Sequence, residues 1–117
     1  MNSLEKFLEN KAIDEKRLEE EALDLYNGFM EMASYYYKDG ALSIKYKWIM
    51  SVTAAIATKC VPCMVLSINN AISAGATREE IIEAASIGIK FGGAPSYTIV
   101  RNNLLKCLDE IENEKSA

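Results

Sequence analysis

The chain has 117 residues, enough for one domain, with a globular balance of 50% hydrophobic and 26% charged residues. Thirteen Lys and Arg against seventeen Asp and Glu give a net charge of −4, which argues against a nucleic-acid surface. No residue is a histidine. That excludes a histidine-liganded metal site, a Ser-His or Cys-His nucleophile pair and a histidine pH switch.

The predicted elements are helical from end to end. A short segment at Leu4 to Asn10 suits one or two turns. From Asp14 to Lys38, apolar residues recur at Leu18, Ala22, Leu25, Phe29, Met32 and Tyr36, a seam with heptad spacing for a helix packed lengthwise on another. Asp14 and Glu15 suit its N-terminal end, and Asp39-Gly40 its stop. A second helix runs from an N-cap at Ser43 to about Lys59, burying Ile49, Val52 and Ile56. Its Ala54-Ala55-Ile56-Ala57 run is small enough for close helix approach.

Pro62 disfavours the helical conformation at Val61, so a bend is expected near Cys60 to Val61. Proline also fits the first turn of a new helix, expected from about Pro62 to Ala74 with Gly75 as its stop. Thr77-Arg78-Glu79-Glu80 is a capping box, opening a helix through Ile81, Ile82, Ala85 and Ile89 that ends at Gly92-Gly93. A last helix begins near Pro95-Ser96 and is expected to bury Tyr97, Val100, Leu104, Leu108 and Ile111. With no period-two strand pattern and no repeat, the fold class is all-α, a single domain of five to six helices.

Between Lys59 and Arg78 lie eighteen uncharged residues, long enough to raise the question of a membrane span. Pro62, Asn69, Asn70 and Gly75 interrupt them, and the segment reads as buried and soluble. The first residues lack the basic-then-apolar order of a signal peptide. A cytoplasmic location, with mostly reduced thiols, is the resulting expectation.

Three cysteines are an odd number for a disulfide framework. Cys60-Val61-Pro62-Cys63 carries the chemical reading. Two thiols three residues apart at a helix start can close a disulfide, and the free N–H groups there favour the thiolate. The alternative is two small hydrophobes buried beside a bend. Proline between the cysteines and the helix boundary favour the redox reading. Zinc needs four ligands, and Cys107 adds only a third sulfur; neither a metal nor a cofactor is expected. Cys107 lies on the apolar stripe of the last helix and reads as core. Phe91 to Ser96 lacks the strand and lysine of a phosphate loop and reads as a helix stop followed by a proline-initiated helix. Of Tyr35, Tyr36 and Tyr37, one reads as core and two as subunit contacts.

Several segments resemble, in order and spacing, the carboxymuconolactone decarboxylase-like superfamily and its AhpD-like thiol branch. They are residues 36–43, Lys47 through Ala57, the C-x-x-C at 60–63, Ala-Gly-Ala-Thr-Arg-Glu-Glu-Ile at 74–81 and Gly92-Gly93-Ala94-Pro95. The resemblance implies a small helical thiol oxidoreductase that reduces peroxides or disulfides. It makes Cys63 the attacking thiol and Cys60 the resolving one. The branch carries a histidine four residues after the second cysteine and a glutamate twelve before the first; here these positions are Ser67 and Trp48. Both members of the usual proton relay are therefore absent, leaving Ser67, Trp48 and Lys59 as candidate supporting groups. Alternatives are a non-catalytic scaffold or redox sensor of the same fold, and a lyase of the decarboxylase type. The resemblance also implies a homo-oligomer, a trimer or hexamer, and a surplus of apolar faces points the same way. A redox protein is the other partner expected, with neither nucleic acid nor membrane.

Overall fold

The computed structural model describes residues 2–116, and these form six helices with no strand among the described residues. The helices are α1 (Ser3–Glu21), α2 (Leu23–Tyr36), α3 (Ile44–Ala57), α4 (Val61–Ser73), α5 (Arg78–Gly92) and α6 (Ala94–Ser116). They fall into two compact units, Met1–Lys38 and Asp39–Ala117.

In the first unit, the Asn2 side chain accepts the Glu5 N–H at 2.8 Å and caps α1. Ion pairs four residues apart, Lys11–Glu15 and Arg17–Glu21, support the helix along its length. The expected short turn at Leu4 to Asn10 is thus the start of a long helix, because no glycine or proline separates it from Asp14. The break comes instead at Ala22, whose backbone leaves the helical region (φ −144°, ψ 59°). Alanine is the strongest helix former, so nothing local marks this break. The seam expected over Leu18 to Tyr36 is therefore divided between two helices. Leu25, Phe29, Met32 and Tyr36 are all exposed. Helix α2 stops at Tyr36, short of the expected Lys38, with the Tyr37 N–H donating to Ala33.

The second unit follows the expected caps closely. Ser43 Oγ accepts the Tyr46 N–H at the start of α3. Both bonds of the Thr77/Glu80 capping box form at the start of α5. Lys45 reaches Glu80 at 3.1 Å, so the N-terminal ends of α3 and α5 meet. The Glu80 carboxylate is held below its ordinary pKa, first by the Thr77 backbone N–H and then by Lys45. Arg78 joins α5 to α6 through Asp109 (3.0 Å) and Glu112 (3.2 Å).

Val52, Ile56, Met64, Ile68, Ile81, Leu108 and Ile111 from α3 to α6 make the fully buried core. Gly88 brings α5 against α3, since a Cβ there would lie 2.8 Å from both the Thr53 carbonyl oxygen and Ile56 Cγ2. The close approach expected of the alanine run is thus made by Gly88 on the facing helix. Ile49 is half-buried, whereas Val52 and Ile56 are buried as expected.

Helix α6 buries Leu104, Leu108 and Ile111 as expected. Tyr97 is a correction: it is 51% exposed, and its neighbour Ser96 turns inward with no exposure at all. Ser96 Oγ donates to the Ile56 carbonyl at 2.7 Å, and that bond fixes the rotation of the helix start.

Candidate functional site

The site forms where α3 ends and α4 begins. The last carbonyls of α3 have no helical partners of their own, and the chain supplies each with one. Ala54 accepts the Thr58 N–H (2.9 Å) and Ala55 the Cys60 N–H (2.9 Å). Ile56 accepts the Lys59 N–H at 3.2 Å, and Ala57 accepts the Lys59 ammonium at 3.2 Å. The crossed pair from Cys60 to Ala55 and from Lys59 to Ile56 is a Schellman motif. Its left-handed residue is Lys59, with φ 61°, a conformation that glycine usually supplies at this position. The turn therefore lies at Thr58 to Cys60, just before the expected bend.

Cys60 also begins the next helix. Its sulfur accepts the Cys63 N–H at 3.3 Å as the N-cap of α4, and Pro62 falls within the first turn, where a missing N–H leaves nothing unsatisfied. One turn of helix brings the two sulfurs together, and Cys60 and Cys63 are joined as a disulfide with Cα atoms 5.3 Å apart. Cys63 is exposed and Cys60 half-buried.

The candidate supporting residues are distributed differently. Ser67 lies one turn beyond Cys63 on α4 and is buried, 5% exposed. Trp48 is half-buried on α3, four residues before the buried Val52. The Lys59 ammonium donates to the Ala57 carbonyl at 3.2 Å, at the end of α3. Cys107 is a buried core thiol as expected. Burial, followed by the nearby Glu110 carboxylate, pushes its pKa up to about 12. Residues 91–96 form the helix stop and restart expected of them, with Gly93 in the left-handed region at φ 78°.

Two features escaped the sequence reading. One is Ser96, whose hydroxyl reaches across forty positions to the end of α3. The other is an open apolar groove of about 620 Å³ along α3 and α5, lined by Tyr46, Met50, Ile87 and Phe91 with Glu80 and Glu83 toward one end. A run of apolar residues on two faces of α3 was the only sequence signal for it. Among the described residues, no group of three or more histidine, cysteine, aspartate or glutamate side chains is placed to hold a metal ion. No helix among them is long and apolar enough to cross a membrane.

The model of the carboxymuconolactone decarboxylase family matches residues 21–101. An uncharacterised protein of the cox locus of Paracoccus denitrificans is 30% identical over 86 residues, which is 74% of this chain and 77% of that protein. An uncharacterised protein of Cupriavidus necator is 31% identical over 74 residues, 63% of either chain. The fold is similar to two family crystal structures. An apo protein of Legionella pneumophila superposes with a TM-score of 0.77 at 25% identity, over 96% of this chain and 94% of that one. A Thermotoga maritima protein, for which involvement in an antioxidative response has been suggested, gives 0.82 at 26% identity, over 96% and 97%.

Proposed function

This chain belongs to the carboxymuconolactone decarboxylase family, and from that premise we propose that it is a thiol–disulfide oxidoreductase of the AhpD-like type. The observation that carries the reading is the Cys60–Cys63 disulfide at the N-terminus of α4, with Cys63 an exposed residue and the Cys60 sulfur capping the helix. A reductant thiolate attacks the sulfur of Cys63, the exposed residue of the pair. The Cys60–Cys63 bond breaks, and its electron pair leaves on Cys60, where the Cys63 N–H stabilises the thiolate. A second reductant thiol resolves the mixed disulfide and frees Cys63. In the return half-reaction Cys63 attacks a substrate disulfide and expels one substrate thiolate; Cys60 then attacks the Cys63 sulfur, expels the second and restores the Cys60–Cys63 bond. Two electrons pass in each direction.

The route suits disulfides better than peroxides. A cysteine of pKa about 8.5 is roughly 3% thiolate at neutral pH, and a positioned base is worth about 10²- to 10⁴-fold. With no histidine in the chain and serine and tryptophan at the relay positions, peroxide reduction is slow. This same deficit favours a second reading, a redox sensor that is oxidised without rapid turnover. The antioxidative role suggested for the Thermotoga protein accords with either reading. The lyase alternative has no comparable support.

The test is a titration against glutathione redox buffers, with peptide mapping, and steady-state turnover of a model disulfide beside hydrogen peroxide. Reversible oxidation of Cys60 with Cys63, disulfide turnover and loss of both in Cys63→Ser support the oxidoreductase. Reversible oxidation without turnover supports the sensor. Thiols that resist oxidation, or a principal disulfide to Cys107, refute both.

The working form is a homo-oligomer, a trimer or hexamer by family resemblance, facing a redox protein partner through Cys63. The support is apolar surface: Leu25 and Phe29 on α2, and Met50, Ile87 and Phe91 beside the groove, are each at least half exposed. Patches of that kind are a solubility liability in a monomer. Light scattering at micromolar concentration tests it, and a stable monomer refutes it.

A further inference from the structure

We propose that Ser96 is a positioning residue for the redox pair, tying the start of α6 to the turn that presents Cys60. The inference rests on the thiol–disulfide reading of Cys60 and Cys63. Ser96 is fully buried and its hydroxyl donates to the Ile56 carbonyl at 2.7 Å. That carbonyl is the acceptor for the Lys59 N–H in the Schellman motif, one residue after the acceptor for the Cys60 N–H. Ser96 therefore grips the same oxygen that holds the left-handed Lys59, and the next residue in the chain is Cys60.

The surroundings are built to admit this bond. A Cβ at Gly92 would fall 1.8 Å from Ser96 Oγ and 3.1 Å from the Ala57 carbonyl oxygen, so no larger residue fits between the end of α5 and the end of α3. The Ser96 N–H is bonded separately to the Gly93 carbonyl, and the hydroxyl gives its single proton to Ile56. The capping of α3 alone does not call for this bond, since the Ile56 carbonyl already has the Lys59 N–H.

What the bond adds is order in a turn whose left-handed residue carries a side chain. Closing a disulfide depends on the effective concentration of one thiol at the other, which falls as the turn loosens. Losing the Ser96 hydroxyl therefore lowers the equilibrium constant for closing Cys60 onto Cys63 and makes the disulfide easier to reduce.

The experiment compares wild type, Ser96→Ala and Ile111→Val in glutathione redox buffers, reading the disulfide fraction by alkylation and mass spectrometry. Ile111 is a buried residue of α6 far along the helix from Ser96, and its truncation controls for a general loss of stability. Ser96→Ala keeps the Lys59 N–H on Ile56, so no buried carbonyl is stranded. The expected result is a fall of about two- to tenfold in the disulfide constant for Ser96→Ala, the range one hydrogen bond supplies, with Ile111→Val within twofold of wild type. Amide exchange at Lys59 and Cys60 is expected to quicken in Ser96→Ala alone. Equal constants and equal exchange in the two variants overturn the role of Ser96 while leaving the redox reading intact. A wild-type pair without reversible oxidation overturns the redox reading, and this one with it.

Discussion

Replacing Gly88 by alanine and Gly28 by alanine will move stability in opposite directions, although both glycines lie inside helices. Alanine is favoured over glycine in a helix interior by about 0.8–1.0 kcal/mol. Gly28 on α2 has open space where the methyl group would go, so Gly28→Ala gains that amount. Gly88 faces α3, and its methyl group would lie 2.8 Å from Ile56 Cγ2 and 2.8 Å from the Thr53 carbonyl oxygen. A side chain can rotate away, but a helix carbonyl cannot. Relief requires α3 and α5 to separate, at the roughly 1–3 kcal/mol typical of overpacking and at its upper end for a backbone contact. Against the propensity gain, Gly88→Ala loses about 1–2 kcal/mol, a fall in melting midpoint of about 4–8 °C for a chain of this size. Thermal unfolding followed by far-ultraviolet circular dichroism measures both variants. A midpoint for Gly88→Ala at or above wild type would refute the close approach of α3 and α5.

Lys59→Gly removes a left-handed side-chain penalty of about 1 kcal/mol and raises the melting midpoint; no gain, or a loss, would show that the ammonium bond to Ala57 outweighs it. Cys107, with its pKa pushed up by burial to about 12, resists iodoacetamide at pH 8 in the folded protein, and prompt labelling would contradict its burial. Because the folded pKa is the higher one, the contribution of the neutral thiol is complete below pH 9 and is lost as pH rises toward 12. In Cys107→Ala that part of the alkaline loss disappears, as urea unfolding across this range will show. Ser67→His, meant to restore the missing base, overpacks a buried position and costs about 1–3 kcal/mol. Joined with Trp48→Glu it raises peroxide turnover if the relay is what the site lacks, and a folded double variant with unchanged turnover would show otherwise.

The parts legible in the sequence were those governed by short-range chemistry. Ser43, the Thr77/Glu80 box, Gly93 and the C-x-x-C each act within a few residues of themselves, and each appears where the pattern put it. Cys107, Leu104, Leu108 and Ile111 were legible because a regular helix fixes which positions share a face. The break at Ala22 was not, since alanine gives no local reason to leave a helix. Tyr97 was misplaced for a related reason. Hydrophobicity alone favoured it over Ser96, and the acceptor that draws Ser96 inward lies forty positions earlier in the chain. The relay positions Ser67 and Trp48 were found only by resemblance, because a missing base leaves no residue to read.

Cys60 closes one helix and opens the next, and this double membership leaves the C-x-x-C motif without a linker. There is no spare residue between α3 and α4 whose length could drift. A single insertion or deletion in residues 57–61 would re-register both helix ends at once, turning the faces of α3 and α4 relative to each other by about 100°. Loops elsewhere in a protein are where chain length varies most freely; this one is as length-restricted as the interior of a helix. A graft of the motif into another scaffold must therefore carry a helix end, a left-handed residue and a helix start as one block, rather than four letters.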